Sequence, residues 1–509
     1  MVETMQKSLF GTSFMEMLDS NDLLIVLADN FPWSKIELKL SKYYTGIGRP
    51  PLPIRLMVGL LLLKQIEDLS DEDVVVQFKR NPYYQYFCGY DEYLPKKACH
   101  PTELVKFRNR IGKEGVDYIF KMSVEMHGDN AEAEEIIVDS TVQESNITFP
   151  TDGKLAIKII LHLLKIAKKE DIKLRRSFKK ETKELRIQLR FFRHPRKIKK
   201  ALGAMKRLRD IAKIILRDID RKFGDDMVLH QTYAASFYLY MRVLSQEKNT
   251  PNKIYSLHEL DAYAINKGKD HKGYEFGTKA SIAITKTSGV IVGAVAHKTN
   301  VGDVNTLNDI VGHAQESIET HIENTIGDRG YRGKKEVSNY NPAYFTIRLA
   351  LYALMVVKKE LINKEMMELV SSLPVYYHSK ISIPGVPLKR DSEAQKEKKR
   401  KDFRKRAAIE PIIGHLKSDH RMARNFLRGF KGDEINLLLA ASAFNLKKWM
   451  RIYFYANILR DAHLILFSLR VMALLEKHIS VLLISLSIGI CKNDTNSVFR
   501  ENCNVVFQD

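Results

Sequence analysis

Cysteine is scarce in this chain. Of 509 residues only four are cysteine, Cys88, Cys99, Cys491 and Cys503, widely spaced and with no C-x-x-C pair among them. That excludes a disulfide framework. Cys99 adjoins His100, yet no partner lies at zinc-finger spacing. Thiols placed this way suit a reducing compartment. Acidic residues are in deficit: 61 Asp and Glu stand against 82 Lys and Arg, a formal net charge of +21. Such an excess points to a polyanionic partner, nucleic acid or an anionic membrane surface, although general basic bias gives the same composition. The opening MVETMQKSLFGTSFMEMLDS lacks a basic stretch followed by a signal-type apolar run. A long uncharged apolar run is missing too. The tail HLILFSLRVMALLEKHISVLLISLSIGIC over 463–491 is interrupted by Arg470, Glu476 and Lys477, and falls short of the ~20 residues a membrane helix needs. The expectation is a soluble, cytoplasmic protein with no membrane partner.

What is present suffices for a large core: 45% of the chain is apolar, and its length suggests about three domains. Residues 1–125 read as helical. Ser70 with Asp73 three positions on is an N-cap signature. The segment PTELVKFRNRIG (101–112) places Lys106, Arg108 and Arg110 on a short basic stretch, either a DNA-facing edge in the manner of a helix-turn-helix or the solvated side of a bundle. At 135–150 the texture becomes β-branched, and EIIVD reads as a buried strand ending in Asp139. A strongly basic helical insertion follows over about 156–248, facing nucleic acid or laced with surface ion pairs. From 253 the chain alternates again, with a hairpin signal at KTSG. NTIGD is a short strand ending in Asp328, followed by a glycine-punctuated loop carrying Arg329 and Arg332.

The stretch RKRAAIEPIIGHLKSDHRMARNF (404–426) sets Glu410 among cations. On a helix, Arg406, Glu410 and Lys417 fall within about 40° of one another and share a face. Pro411 disfavours helical geometry at Glu410, so a start or kink is expected there. Alone, Glu410 reads as half of a surface ion pair. Set beside Asp139 and Asp328 it acquires a second reading. Carboxylates from two strand ends and one helix can converge on hard divalent cations that bridge phosphate oxygens. The metal reverses the repulsion between acids and DNA, and the surrounding cations hold the flanking phosphates.

In ordered blocks, the sequence resembles the DDE transposases of bacterial insertion sequences, specifically the IS-five group, related to the IS-four group. The blocks are GRPPLPIRLMVGLLLLKQIEDLSDEDVVVQF (48–78), IVDSTVQESNITFPTD (137–152), KGKDHKGYEFGTKASIA (267–283), IGDRGYRGKKEV (326–337) and the segment from Arg406 to Arg451. The resemblance implies an α/β, RNase H-like catalytic domain over 130–455, a mixed sheet with flanking helices. It also implies an all-helical N-terminal DNA-binding domain over 1–125 and a C-terminal tail, 456–509, of no assigned role. It further implies a catalytic and metal-binding triad of Asp139, Asp328 and Glu410 holding two Mg²⁺, for which Mn²⁺ substitutes. DNA contacts fall to Arg406 and Lys417, with Arg329 and Arg332 as further candidates. The partners implied are the element's terminal inverted repeats and target DNA, bound by a homodimer. A catalytically impaired DNA-binding relic, or a two-metal nuclease without joining, is the alternative. The related signature Y-(2)-R-(3)-E-(6)-K fits at Arg406, Glu410 and Lys417, but Phe403 replaces its tyrosine. Residues 341–380 are extra sequence relative to the family pattern.

Overall fold

A computed structural model describes residues 13–44, 50–266, 273–340 and 376–460. Most of the extra segment at 341–380, nearly all of the tail, and Cys491 and Cys503 lie outside the described residues. The chain divides into two compact units, Met1–Lys448 and Trp449–Asp509. In the second, residues 449–460 are helical, with the Trp449 and Tyr453 rings stacked at 5.5 Å. Among the described residues no helix is long and apolar enough to cross a membrane.

Among the described residues, the first unit begins with seven helices between Phe14 and Glu125. The helix Ile54–Ile66 is apolar all round, and every residue from Leu56 to Ile66 is buried, as expected of a helix enclosed by its neighbours. Ser70 caps the next helix, Asp71–Arg80, by accepting from the Asp73 N–H. His100 caps the helix Pro101–Glu125 through its ring, so the histidine beside Cys99 has a structural partner. Cys88 and Cys99 are free thiols.

Of the three cations in the basic stretch at 101–112, Lys106 and Arg110 are exposed, but Arg108 turns inward. Arg108 is 3% exposed and grips Asp71 with both terminal nitrogens, at 2.9 and 2.5 Å. Lys64 completes this buried cluster at 2.8 Å from Asp71. Lys106 pairs with Glu103, and Arg110 lies over the Tyr44 ring at 4.8 Å. Arg108 shares the helix face of Leu104, Phe107 and Ile111, all buried, and its cation is carried inward with them.

The centre of the unit is an eight-stranded mixed sheet in the order β2-β3-β1-β5-β7-β6, with β4 beside β3 and β8 beside β1. The strands are β1 Glu135–Ser145, β2 Tyr263–Asn266, β3 Tyr274–Thr285, β4 Ile291–His297, β5 Asn324–Ile326, β6 Glu336–Tyr340, β7 Tyr376–Ser382 and β8 Arg424–Asn425. β1 runs antiparallel to β3 and parallel to β5. From Gly277 onward every residue of β3 is buried, the continuous pattern of an interior strand. Gly277 itself is required by β1, because a Cβ there would lie 2.0 Å from the Gln143 carbonyl oxygen. The KTSG turn joins β3 to β4, with the Val290 N–H donating to Thr285 Oγ1.

Between β1 and β2 the chain leaves the sheet for four α-helices, Asp152–Lys169, Lys179–Gln188, Ile198–Phe223 and Met227–Ser245. They close on a core of their own, which includes Ile159, Leu163, Leu208, Ile215, Ile219 and Val243. Arg209 spans the two ends of this excursion: its guanidinium donates to Asp152 Oδ2 at 2.7 Å and to the Gln246 carbonyl at 3.0 Å.

A final helix, residues 429–448 in this unit, locks the sheet to the N-terminal helices through a buried polar network. Thr278 and Asn425 donate to the Asp433 carboxylate at 2.5 and 2.7 Å. Asn436 donates to Gln143 on β1 and accepts from Gln65 at 3.2 Å. Such groups are tolerated inside because nearly all find partners; the exception in this network is Gln65 Oε1, which has none among the described residues.

Candidate active site

Asp139 stands in mid-strand, not at a strand end as expected. β1 outlasts its pairing with β5, which covers only Glu135–Ile137, and continues beside β3 to Glu144. Asp328 lies two residues beyond the end of β5. The register pairs Ile137 with Ile326, so each aspartate follows a paired residue by two positions. On neighbouring parallel strands about 5 Å apart, residues so related lie side by side and face the same way. Asp328 keeps extended backbone, φ −83° and ψ −173°, which carries that alignment past the strand.

The glycine-punctuated segment after β5 is explained by close approaches. A Cβ on Gly327 would come within 2.8 Å of the ring of Tyr331, which is fully buried. Gly330 offers its N–H to Asp328 Oδ1 at 2.7 Å, capping the short turn Arg329–Tyr331. A Cβ on Gly330 would lie 2.9 Å from both Asp328 Oδ1 and Asp303 Oδ2. Arg329 and Arg332 are exposed on either side.

Glu410 lies on the helix Ile409–Asp419, which packs on β1 and buries Ile409 and Leu416. Ile412 and Ile413 are only half-buried. The preceding helix, Glu393–Ala407, ends one residue short of it, so the break falls at Ala408 and the second helix starts one residue before Glu410, next to the start expected there. Proline sits in the first turn of the second helix, where its missing N–H costs nothing. Across the break, Arg406 Nη2 donates to Glu410 Oε1 at 2.6 Å. The arginine side chain is 11% exposed and the glutamate 59%. Arg406 Nε is buried with no hydrogen-bond partner among the described residues. Its guanidinium lies 5.3 Å from the Phe403 ring. Phe403, Arg406, Asp328, Arg329, Ile383 and Pro384 line a small cleft of 170 Å³. Lys417 is half-buried on the same helix as Glu410, outside that lining.

Electrostatics link the acids. Burial first, and then the negative charges of Asp328 and Glu410, push the Asp139 carboxyl up to about 6, against the Ser140 N–H and the Arg406 cation. Arg406 therefore serves both Glu410 and Asp139. Among the described residues no three acidic, histidine or cysteine groups are grouped closely enough to hold one ion. Glu410 turns instead to Arg406.

A raised carboxylate weakens the fold once ionised. Between about pH 4 and pH 6 the folded chain retains the Asp139 proton that the unfolded chain has released, so this residue's contribution falls as pH rises through that window. Asp139→Asn keeps an acceptor for the Ser140 N–H and removes the titration. The variant is expected to be more stable than the unaltered chain at pH 7, by about 1–3 kcal/mol, with the gain vanishing near pH 4. Urea unfolding of both proteins with a chelator present, at pH 4.5, 5.5 and 7, checks this; a gain independent of pH would contradict it.

Three further residues escaped the sequence reading. Ser140 Oγ donates to Asp303 Oδ1 at 2.7 Å, and Lys279 Nζ donates to the same oxygen at 3.0 Å. Asp303 opens the helix Asp303–Gln315 behind Gly302. An aspartate at a helix start is commonplace, and nothing local marks its contact with β1.

A mixed α/β fold carrying an acid pair beside its central parallel strands, flanked by arginines, is thus the frame of the molecule. Two family models match it: Transposase domain (DUF772) over residues 12–110 and Transposase DDE domain over residues 248–446. A Rhizobium meliloti protein described as uncharacterized protein ORF8 in the nfe locus is 34% identical over 196 residues, covering 38% of this chain and 95% of that protein. No solved structure matches. The chain belongs to the DDE transposases.

Proposed function

We propose that this protein is a DNA transposase of the IS-five type, with an RNase H-like core, that cuts at the ends of its own element and joins the freed 3′-hydroxyls to target DNA. The observation that carries the reading is the matched position of Asp139 and Asp328 on adjacent parallel strands, with the helix of Glu410 packed on the first of them. Asp139, Asp328 and Glu410 form the catalytic triad and the ligand set for two Mg²⁺ ions, Mn²⁺ substituting. The donors suit such ions: all are hard carboxylate oxygens, and the negative charges of Asp328 and Glu410 act on Asp139. When bound, the ions supply Lewis-acid activation of the attacking oxygen and stabilise the leaving one.

The chain's own residues do the rest. Glu410 leaves Arg406 to join the aspartates, and Arg406 turns its freed donors, the unpartnered Nε among them, to a phosphate beside the scissile bond. Arg329, Arg332 and Lys417 neutralise flanking phosphates, which makes binding salt-dependent. The N-terminal helices and the basic insertion hold the terminal repeats, and a homodimer keeps both ends together in the cytoplasm.

The bond between Glu410 and Arg406 favours a second reading, a relic that binds DNA without cutting. Incubating the purified chain with Mg²⁺ and DNA carrying the inverted repeats that flank its gene separates the readings. Nicking at the repeat ends, followed by joining to a second duplex, is expected. Nicking without joining marks a nuclease, and binding without nicking marks the relic.

A further inference from the structure

The two aspartates are oriented by two backbone N–H groups. That of Ser140 donates to Asp139 Oδ1 at 2.7 Å, and that of Gly330 donates to Asp328 Oδ1 at 2.7 Å. The same two residues meet at one further side chain. Asp303 Oδ1 accepts from the Ser140 hydroxyl, and Asp303 Oδ2 lies against the bare Cα of Gly330, within 2.9 Å of where a Cβ would be. Lys279, 9% exposed, fixes the Asp303 carboxylate from β3 and also donates to the Val301 carbonyl at 2.7 Å, tying the start of the 303–315 helix to the sheet.

We infer that Asp303 is a positioning residue: through Ser140 and Gly330 it holds the two backbone donors that set the separation and facing of the Asp139 and Asp328 carboxylates. The inference rests on the metal-site reading above. Its physical content is charge and geometry together. A third aspartate beside two others repels them unless its charge is answered, and Lys279 answers it at hydrogen-bond distance. One oxygen of the carboxylate is taken by β1 and β3, and the other stands against the Gly330 turn. The turn approaches closely because residue 330 has no side chain. Without this contact the turn gains freedom, and the distance between the two aspartates is no longer fixed. Groups that orient metal ligands typically alter affinity about 10–100-fold when removed.

The test is Mn²⁺ binding to the full chain, followed by the paramagnetic resonance of the free ion, with Asp139→Asn as reference. Asp303→Asn is expected to weaken Mn²⁺ binding about 10–100-fold. Ser140→Ala, which keeps the N–H but loses the hydroxyl, is expected to weaken it less. The two combined are expected to do no more than Asp303→Asn alone, because they act through one contact. If the only role of Asp303 is to start its helix, Asp303→Asn lowers the unfolding midpoint and leaves Mn²⁺ affinity within twofold, which overturns the inference. Should Asp303→Asn fail to fold, Ser140→Ala decides: unchanged affinity there overturns the inference, and a loss sustains it. Unchanged affinity in Asp139→Asn overturns the metal-site reading beneath it.

Discussion

Replacing Asp139 or Asp328 by asparagine, or Glu410 by glutamine, is expected to slow DNA nicking at least about 10³-fold in each case, while binding of the same DNA by gel shift changes less than about threefold. The asymmetry follows from what an amide removes. It keeps size and a carbonyl acceptor but withdraws the negative charge that holds a divalent ion against a phosphodiester. Residues acting as one unit lose nearly everything at the first substitution, so any two amides together are expected to nick no more slowly than one. Glu410→Gln leaves the fold intact: its carboxylate is 59% exposed and its partner is a neighbour one turn away, an arrangement worth at most about 1 kcal/mol. Joining of 3′ ends to a second duplex should fall in parallel. If Asp139→Asn and Glu410→Gln nick as fast as the unaltered chain, the assignment of the triad is wrong.

The second large effect concerns stability. Arg108→Ala should destabilise the chain by about 3–5 kcal/mol in urea unfolding, against less than about 0.5 for Lys106→Ala two positions away. Arg108 and Lys64 enclose Asp71 in a setting where the three side chains are 4%, 9% and 15% exposed. Burial pushes the Asp71 carboxyl up, but hydrogen bonds from Arg108 and the charge of Lys64 outweigh it and hold it at about 2. Burial pulls the Lys64 ammonium down to about 8, with Asp71 opposing. Taking away the arginine leaves an aspartate and a lysine to satisfy each other in an apolar setting that three groups were arranged to fill. The share of stability carried by Asp71 is complete above about pH 4 and lost as pH falls towards 2. Arg108→Ala should therefore matter least in strong acid.

Features written in neighbouring residues were legible in the sequence. The Ser70 cap, the KTSG turn and the glycine-rich segment after β5 each depend on a few consecutive positions. The meeting of Arg406 with Glu410 was legible for the same reason, although a break at Ala408 divides the single helix that the spacing implied. The register of β1 was not. Asp139 looked like a strand end because the apolar run IIV stops there and polar residues follow, yet β3 continues alongside and carries β1 on to Glu144. Arg108 was misread although its signal was present: Leu104, Phe107 and Ile111 mark the inward stripe, and Arg108 falls within it. Asp303 was out of reach, because its meeting with Ser140 joins positions 163 residues apart and no local pattern specifies it. The proximity of Asp139 to Asp328 belongs to the same kind, a product of parallel pairing between distant strands.

The guanidinium of Arg209 has a bearing on how freely the chain between β1 and β2 can vary in length. By clasping Asp152 and the carbonyl of Gln246 at once, it brings the doorway in and the doorway out of the four-helix excursion to a single point. An added piece whose two threads emerge together can be spliced into a loop, or trimmed from it, without tearing the host sheet. The fold therefore permits this module to lengthen or shorten while the strands beneath persist.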